Sequence, residues 1–117
     1  MKEKNIHKMK LDFEPFLAIR WGSKRFELRL NDEKRKKIKE GDIIEFTCNK
    51  NCEKINAKVL SIQHFKNFEQ LYKKIDKVEL GYSLNQIASA EDMLKYYSQE
   101  QQEKDGVLAI EIRVLRE

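Results

Sequence analysis

The side chains best suited to chemistry lie within residues 22–31, where polar and apolar residues alternate strictly from Arg25 to Leu30. This alternation is typical of a half-buried strand, whose successive side chains point to opposite faces. The polar face would carry two guanidinium groups, a carboxylate and an amide: Arg25, Glu27, Arg29 and Asn31. Such a face can recognise a base edge or a phosphate, because an arginine offers a planar fork of donors. The same pattern also suits a solvated strand face whose charges neutralise one another.

Lys24 stands at the entrance of this strand, three residues before Glu27. A neighbouring carboxylate favours a charged ammonium, which could serve as an anchor for an anion or an oxyanion. The alternative is a surface lysine in a weak ion pair. Glu27 and Arg29 are expected to point the same way, either as a polar floor for a ligand or as a structural salt bridge.

Composition bounds the class of protein. A chain of 117 residues predicts one domain, residues 1–117. The net charge of +4 is compatible with a nucleic-acid partner but does not require one. There is no apolar window long enough to span a membrane, and the charged N-terminus lacks the apolar segment of a secretory signal. We therefore expect a cytoplasmic protein without a membrane partner.

Few residues are suited to metal binding. The only two cysteines, Cys48 and Cys52, lie in a polar turn, and His7 and His64 are far apart in sequence. Two thiols without a nearby histidine do not make a closed zinc site, and a reducing compartment argues against a disulfide. The chain also lacks a glycine-rich phosphate loop. We predict loop cysteines, no metal and no cofactor.

Hydrophobic periodicity predicts the element order β-α-β-β-β-α-α-β. Strands are expected over residues 6–11, 24–30, 43–47, 55–62 and 107–115. Helices are expected over residues 13–21, 67–75 and 89–97, the last with a polar extension to residue 104. Short connections favour antiparallel pairing, so the predicted fold class is α+β, with a small β-barrel and helices at one side.

A dense basic stretch follows the polar strand. It comprises Lys34, Arg35, Lys36, Lys37 and Lys39. Five cations within six residues exceed what solubility needs. The stretch is therefore either a solvated turn or short helix, or a rim that contacts phosphates.

Three aromatic residues are candidates for a ligand site. Trp21 closes the first helix, where core packing is expected and stacking on a base is the alternative. Tyr96 and Tyr97 are adjacent, so only one of them can face the core. The other could line a cleft and offer its hydroxyl. Trp21 and Tyr96 thus join Arg25, Arg29 and residues 34–37 as candidate nucleic-acid contacts.

The run Gly22-Ser23-Lys24-Arg25-Phe26-Glu27-Leu28-Arg29 resembles the ASCH domain of the PUA-like superfamily. The family pattern is roughly Gly-x-Lys-x-x-Glu-x-Arg, followed by a basic connector and a Gly-Asp turn into a strand. Residues 39–42, Lys-Glu-Gly-Asp, supply that turn. The resemblance extends to residues 7–11, 14–16 and 92–97, so it covers nearly the whole chain. It implies a PUA-like antiparallel β-barrel with flanking helices and a cleft beside the motif strand.

The resemblance implies RNA or a modified nucleoside as the ligand, held by Lys24, Glu27 and Arg29. Some ASCH relatives are amidohydrolases that remove the acetyl group from acetylated cytidine, and others are reported as ribonucleases. The amidohydrolases place Lys at position 24, Thr at position 27 and Glu after the middle helix, where Glu79 stands here. Lys24, Glu27 and Glu79 are accordingly the catalytic candidates for an enzyme. A protein-interaction domain is the third alternative, and it would show a large apolar patch.

Overall fold

The fold is a curled five-stranded sheet with flanking helices. The structure, a computed structural model, describes residues 5–116; the first four residues and the last residue of the predicted domain lie outside the described residues. The strands are β1 (Ile6–Leu11), β2 (Phe26–Leu30), β3 (Ile43–Cys48), β4 (Lys54–Phe65) and β5 (Val107–Val114). Their order in the sheet is β1-β3-β4-β5-β2. The predicted α+β class and PUA-like barrel architecture are confirmed.

The barrel is open between β1 and β2, the two strands at the ends of the sheet order. The pairs β3–β4, β4–β5 and β2–β5 are antiparallel, as predicted, whereas β1 runs parallel to β3. Within residues 5–116, hydrogen-bonded ladders leave β1 and β2 as the two edges of the sheet. Side chains bridge this gap instead: Arg29 Nη2 and Lys34 Nζ each donate to a main-chain oxygen of β1, those of Lys10 and Lys8, at 2.9 Å. The polar face of β2 is thereby tied to the free edge of β1.

Within residues 5–116, three α-helices flank the sheet: α1 (Phe13–Arg20), α2 (Phe68–Lys74) and α3 (Gln99–Asp105). Asn67 caps α2 as predicted, because its side chain accepts from Gln70 N at 2.9 Å. The predicted helix over residues 89–97 is a 3₁₀ helix, Ala90–Lys95. The following polar stretch does not extend it. Ser98 and Gln101 form a capping box that starts α3 as a separate helix.

Two apolar clusters cover the two faces of the sheet. Alternate residues of β5 enter each cluster, as the pleat requires. One cluster contains Phe16 of α1, and the other packs α2 against the apolar face of β2. Cys48 is buried in the first cluster, so the expectation of two loop cysteines is wrong for that residue. Cys52 is exposed in the β3–β4 turn, and both thiols are free.

β2 is shorter than predicted, because residues 24 and 25 lie outside it. The ladder with β5 begins at Phe26, while Lys24 forms an isolated antiparallel bridge to Leu80. This bridge brings the segment after α2 alongside the start of the polar strand. None of the helices within residues 5–116 is long and apolar enough to cross a membrane.

Candidate functional site

A surface cavity lies where α1, the start of β2 and residues 80–97 meet. Its volume is about 700 Å³, and an adjoining part measures about 210 Å³. The two parts share six lining residues: Asp12, Pro15, Lys24, Leu28, Met93 and Tyr96. A volume of about 300–1,000 Å³ is typical of sites for small ligands. The cavity is therefore large enough for a nucleoside-sized molecule.

Lys24, Glu27 and Arg29 form a buried ion cluster at this cavity. Glu27 Oε1 lies 3.3 Å from Lys24 Nζ, and Glu27 Oε2 accepts from Arg29 Nε at 2.8 Å. The side chains of Glu27, Lys24 and Arg29 are 5%, 11% and 12% exposed. β2 aligns Glu27 with Arg29, because residues two apart on a strand share a face. Lys24 precedes the strand, at the isolated bridge to Leu80, and reaches Glu27 from there. A solvated face of independent charges is therefore excluded for these three residues.

The ion cluster is held in its charged state. Burial by itself raises the pKa of Glu27, but Arg29 and Lys24 outweigh it and hold the pKa below its ordinary value of 4.5. Burial likewise opposes the charge of Arg29, and Glu27 outweighs it, so the pKa of Arg29 is raised. With two cations around one carboxylate, the cluster carries an excess of one positive charge. Both oxygens of Glu27 are engaged, so Glu27 is better placed to hold cations than to transfer a proton.

Three tyrosines also line the cavity, Tyr72, Tyr82 and Tyr96. Tyr82 OH donates to Asp92 Oδ2 at 2.7 Å and lies 2.9 Å from Tyr72 OH. Tyr96 OH donates to Asp12 Oδ2 at 3.3 Å. Burial, together with the hydrogen bond to Tyr72, raises the pKa of Tyr82, so its hydroxyl stays protonated. The protons of these hydroxyls are engaged in the bonds described, so their oxygens can accept from the polar edge of a ligand.

Sequence reasoning missed part of this rim. Tyr72 has the spacing of a core residue, Tyr82 follows a turn and Asp92 resembles a helix cap. Their only sequence signal is that each is polar beside an apolar pattern. Asp12 occupies the N-cap position of α1 but makes no capping hydrogen bond, and its carboxylate instead accepts from Tyr96, 84 residues away along the chain.

Glu79 and Arg25 lie apart from the cavity lining. Glu79 Oε1 is 3.4 Å from Arg25 Nη1, and Arg25 Nη2 is 3.4 Å from Glu111 Oε2. Glu79 lies in a turn, where its N–H donates to Asp76 O, and its side chain is directed to Arg25, whereas Leu80 lines the cavity. The structure thus brings Lys24 and Glu27 together but does not add Glu79. The side chain of Arg25, which contacts Glu79 and Glu111, does not join the cluster of Glu27 and Arg29.

The basic connector lies beside the site without lining the cavity. It contains a 3₁₀ helix, Arg35–Lys37, anchored by Arg35, whose Nη1 lies 2.8 Å from Asp32 Oδ2. Lys34 reaches Lys8 O on β1. That oxygen is two residues from Lys10, which lines the smaller part of the cavity, a separation of about 7 Å along a strand. Lys36 and Lys37 are exposed, and Lys36 Nζ lies 3.5 Å from Glu33 Oε1.

The aromatic predictions have mixed outcomes. Trp21 is 73% exposed, so the expectation of core packing is wrong. It follows the last residue of α1, beyond the buried positions Phe16 and Ile19. Tyr97 packs on Phe68 with ring centroids 5.9 Å apart, whereas Tyr96 lines the cavity. As predicted, one tyrosine of the pair packs on the core and the other lines the cleft, but Tyr97 also lines the smaller part of the cavity.

Side chains that could bind a metal ion are not grouped in the part of the chain that the structure describes. Among residues 5–116, His, Cys, Asp and Glu form no cluster of three or more that could hold an ion. The residues at the cavity offer ammonium, guanidinium, hydroxyl and carboxylate groups, which suit an organic ligand with hydrogen-bonding edges.

A curled sheet with a charged cluster on its Gly-x-Lys-x-x-Glu-x-Arg strand defines an ASCH-type domain of the PUA-like class. A model of the ASCH domain family matches residues 9–116, and the chain belongs to that family. No curated protein matches the chain.

Solved structures show the same fold. The hypothetical protein PH0355 is 32% identical, with a TM-score of 0.80 over 94% of this chain and 99% of its own. Protein PF0455 from Pyrococcus furiosus is 31% identical, with a TM-score of 0.69 over 96% of this chain and 99% of its own. ASCH from Zymomonas mobilis is 15% identical, with a TM-score of 0.68 over 95% of this chain and 68% of its own. That last likeness concerns the fold alone.

Proposed function

We propose that this protein binds RNA or a modified nucleoside, with a nucleobase in the cavity and phosphates on the basic connector. The carrying observation is the buried cluster of Lys24, Glu27 and Arg29 at the cavity. The expected cytoplasmic location remains part of this proposal.

The ion cluster can attract a ligand and orient it. Its excess positive charge is shielded from water, which strengthens its pull on a carbonyl oxygen or an anion. Lys24 Nζ has three N–H donors, and Glu27 Oε1 takes at most one or two of them. The remaining donors are available to a base carbonyl. Glu27 fixes both cations before the ligand arrives, so little order is lost on binding.

The rest of the lining favours a base over a phosphate. Three carboxylates line the larger part of the cavity, those of Asp12, Glu14 and Asp92, against the two ammonium groups of Lys24 and Lys95. A phosphate would be repelled there, whereas a neutral base can donate to the carboxylates and tyrosine oxygens and can accept from Lys24. The exposed lysines of the connector are the better place for phosphates.

An amidohydrolase acting on acetylated cytidine is the second candidate, and the Lys24–Glu27 contact favours it. Lys24 could stabilise an oxyanion formed from the acetyl carbonyl. However, the lining residues of both parts of the cavity include no serine, threonine or cysteine to act as nucleophile. Hydrolysis would therefore require a water molecule, and Glu27 is a weak base because two cations hold its pKa low. These facts support binding as the leading function.

The test is a titration of the purified protein with cytidine, acetylated cytidine and short single-stranded RNA, with product release followed by chromatography. We expect saturable binding, no product, and a loss of affinity of at least about tenfold in Lys24→Ala, since a hydrogen bond to a charged group is removed. Lys104→Ala, on the exposed side of α3, is the matched control. Turnover that Lys24→Ala abolishes while binding persists would establish the enzyme instead. If no probe gave a saturable signal, the proposed function would be refuted.

A further inference from the structure

Trp21 is a large aromatic side chain that lies on the protein surface. It is the single tryptophan of the chain and is 73% exposed. The guanidinium carbon of Arg20 lies 5.9 Å from the ring centroid, and Arg116 donates to Arg20 O. A protein-contact surface would instead surround the ring with other exposed apolar residues. An exposed indole among arginines is typical of surfaces that stack nucleobases.

The position of Trp21 relates it to the cavity. Glu14 and Ala18 of α1 line the cavity, and residues three or four apart share a helix face. Trp21 is the C-cap of α1 with helical backbone angles, φ −88° and ψ −3°. It therefore continues the cavity-lining face by one turn, a distance of about 5.4 Å along the axis. Trp21 thus continues the helix face that lines the cavity, although it is not itself a lining residue.

The chain between Trp21 and Lys24 leaves room for a ligand backbone. Gly22 and Ser23 are exposed, and a Cβ at Gly22 would have no neighbour within 4 Å. Lys24 lies in the cavity wall at the end of this short span. An RNA strand with one base in the cavity can thus pass over Gly22 and Ser23 to reach the indole.

We propose that Trp21 is a stacking platform for the nucleobase next to the one in the cavity, so that the ligand is single-stranded RNA rather than a free nucleoside. This inference rests on the proposed function of the cavity. It assigns separate tasks to two neighbouring places: the cavity selects one base by hydrogen bonds, and Trp21 holds its neighbour through the π-face that every base shares.

Because Trp21 is the only tryptophan, its fluorescence reports on this place alone. The probes are cytidine, acetylated cytidine and a pentanucleotide of cytidine. We expect the nucleosides to bind in the cavity without quenching the indole, and the pentanucleotide to bind more tightly and quench it. In Trp21→Ala, measured by calorimetry, affinity for the pentanucleotide should fall about tenfold, while affinity for the nucleosides should stay unchanged.

Two further variants separate stacking from a general loss of apolar surface. Trp21→Phe keeps an aromatic ring and should retain most of the pentanucleotide affinity. Ile6→Ala removes another exposed apolar side chain, on β1, and should change no affinity. Circular dichroism melts check that each variant is folded.

The outcomes distinguish the two claims. If the nucleosides bind but the pentanucleotide binds no more tightly and leaves the emission unchanged, the platform is refuted and the cavity proposal stands. If neither nucleosides nor pentanucleotide bind, the proposed function fails and the platform falls with it.

Discussion

Gly81 packs directly against the side chain of Lys24: a Cβ at position 81 would lie 3.2 Å from Lys24 Cδ and 3.3 Å from its Cβ and Cγ. Gly81 has a φ of +106°, a conformation that residues with a side chain rarely adopt. Together with the Leu80 bridge to Lys24, this contact fixes the lysine in the cavity wall.

Gly81→Ala should therefore disturb both the backbone and the site. The unfavourable φ is expected to lower the free energy of unfolding by about 1–3 kcal/mol. The new methyl group should also displace Lys24 from Glu27 and weaken nucleoside binding. Gly41→Ala is the matched control, because Gly41 has a φ of +89° with nothing within 4 Å. If both variants lose the same stability and both keep full affinity, Gly81 has no positioning role.

The ion cluster should make stability depend on pH in a defined direction. The pKa of Glu27 is lowered in the folded protein, so its stabilisation is complete above its ordinary pKa of 4.5 and is lost as pH falls through the lower folded value. At pH 7, Glu27→Gln should lower the free energy of unfolding by about 3–5 kcal/mol, because two buried cations lose their counter-charge. This deficit should shrink as the wild type is acidified.

Urea unfolding at a series of pH values measures this effect. Glu33→Gln alters a carboxylate whose side chain is 93% exposed and should follow the wild-type curve throughout. A Glu27→Gln deficit that stays constant from pH 7 to pH 3 would show that the cluster does not depend on the Glu27 charge.

The elements were predictable from sequence because their signals are local. The alternation in β2, the Asn67 cap and the apolar run of β5 each depend on residues close in the chain, and the structure confirms them. The convergence of Glu27 and Arg29 also follows from strand periodicity. Predictions failed where a long-range contact decides the outcome.

The exposure of Trp21 could not be predicted from its place in the sequence, because an apolar residue at the end of an apolar helix face is usually buried. The tyrosine rim could not be predicted either. Tyr72, Tyr82 and Asp92 meet only after α2 and the 3₁₀ helix Ala90–Lys95 pack together. The parallel pairing of β1 with β3 is a further long-range choice, since α1 and β2 lie between the two strands.

Arg29 should couple the cavity to the open side of the barrel. Its guanidinium contacts Glu27 Oε2 and donates to Lys10 O at 2.9 Å, on the free edge of β1. A lysine has no planar fork and cannot reproduce both contacts. Arg29→Lys is therefore expected to cost about 1–3 kcal/mol and to speed amide exchange in β1, with β5 unaffected.

Hydrogen exchange measured by NMR resolves this strand by strand. Arg113→Lys makes the same substitution at an exposed position of β5 and should leave β1 protection intact. If β1 exchanged at the wild-type rate in Arg29→Lys, side-chain closure of the barrel would not contribute to its stability.

The basic connector should determine the salt dependence of RNA binding. Each phosphate contact on a single strand contributes about 0.7 to the slope of log affinity against log salt. If Lys36 and Lys37 each hold one phosphate, their double replacement by alanine should lower the slope magnitude by about 1.4, at any RNA sequence. Nucleoside affinity should not change, because a nucleoside has no phosphate and neither lysine lines the cavity. The double variant Lys73→Ala/Lys104→Ala, at exposed positions of α2 and α3, removes the same two charges and controls for net charge alone. Equal slopes for the connector variant and this control would assign the lysines to solubility and require another surface for the phosphates.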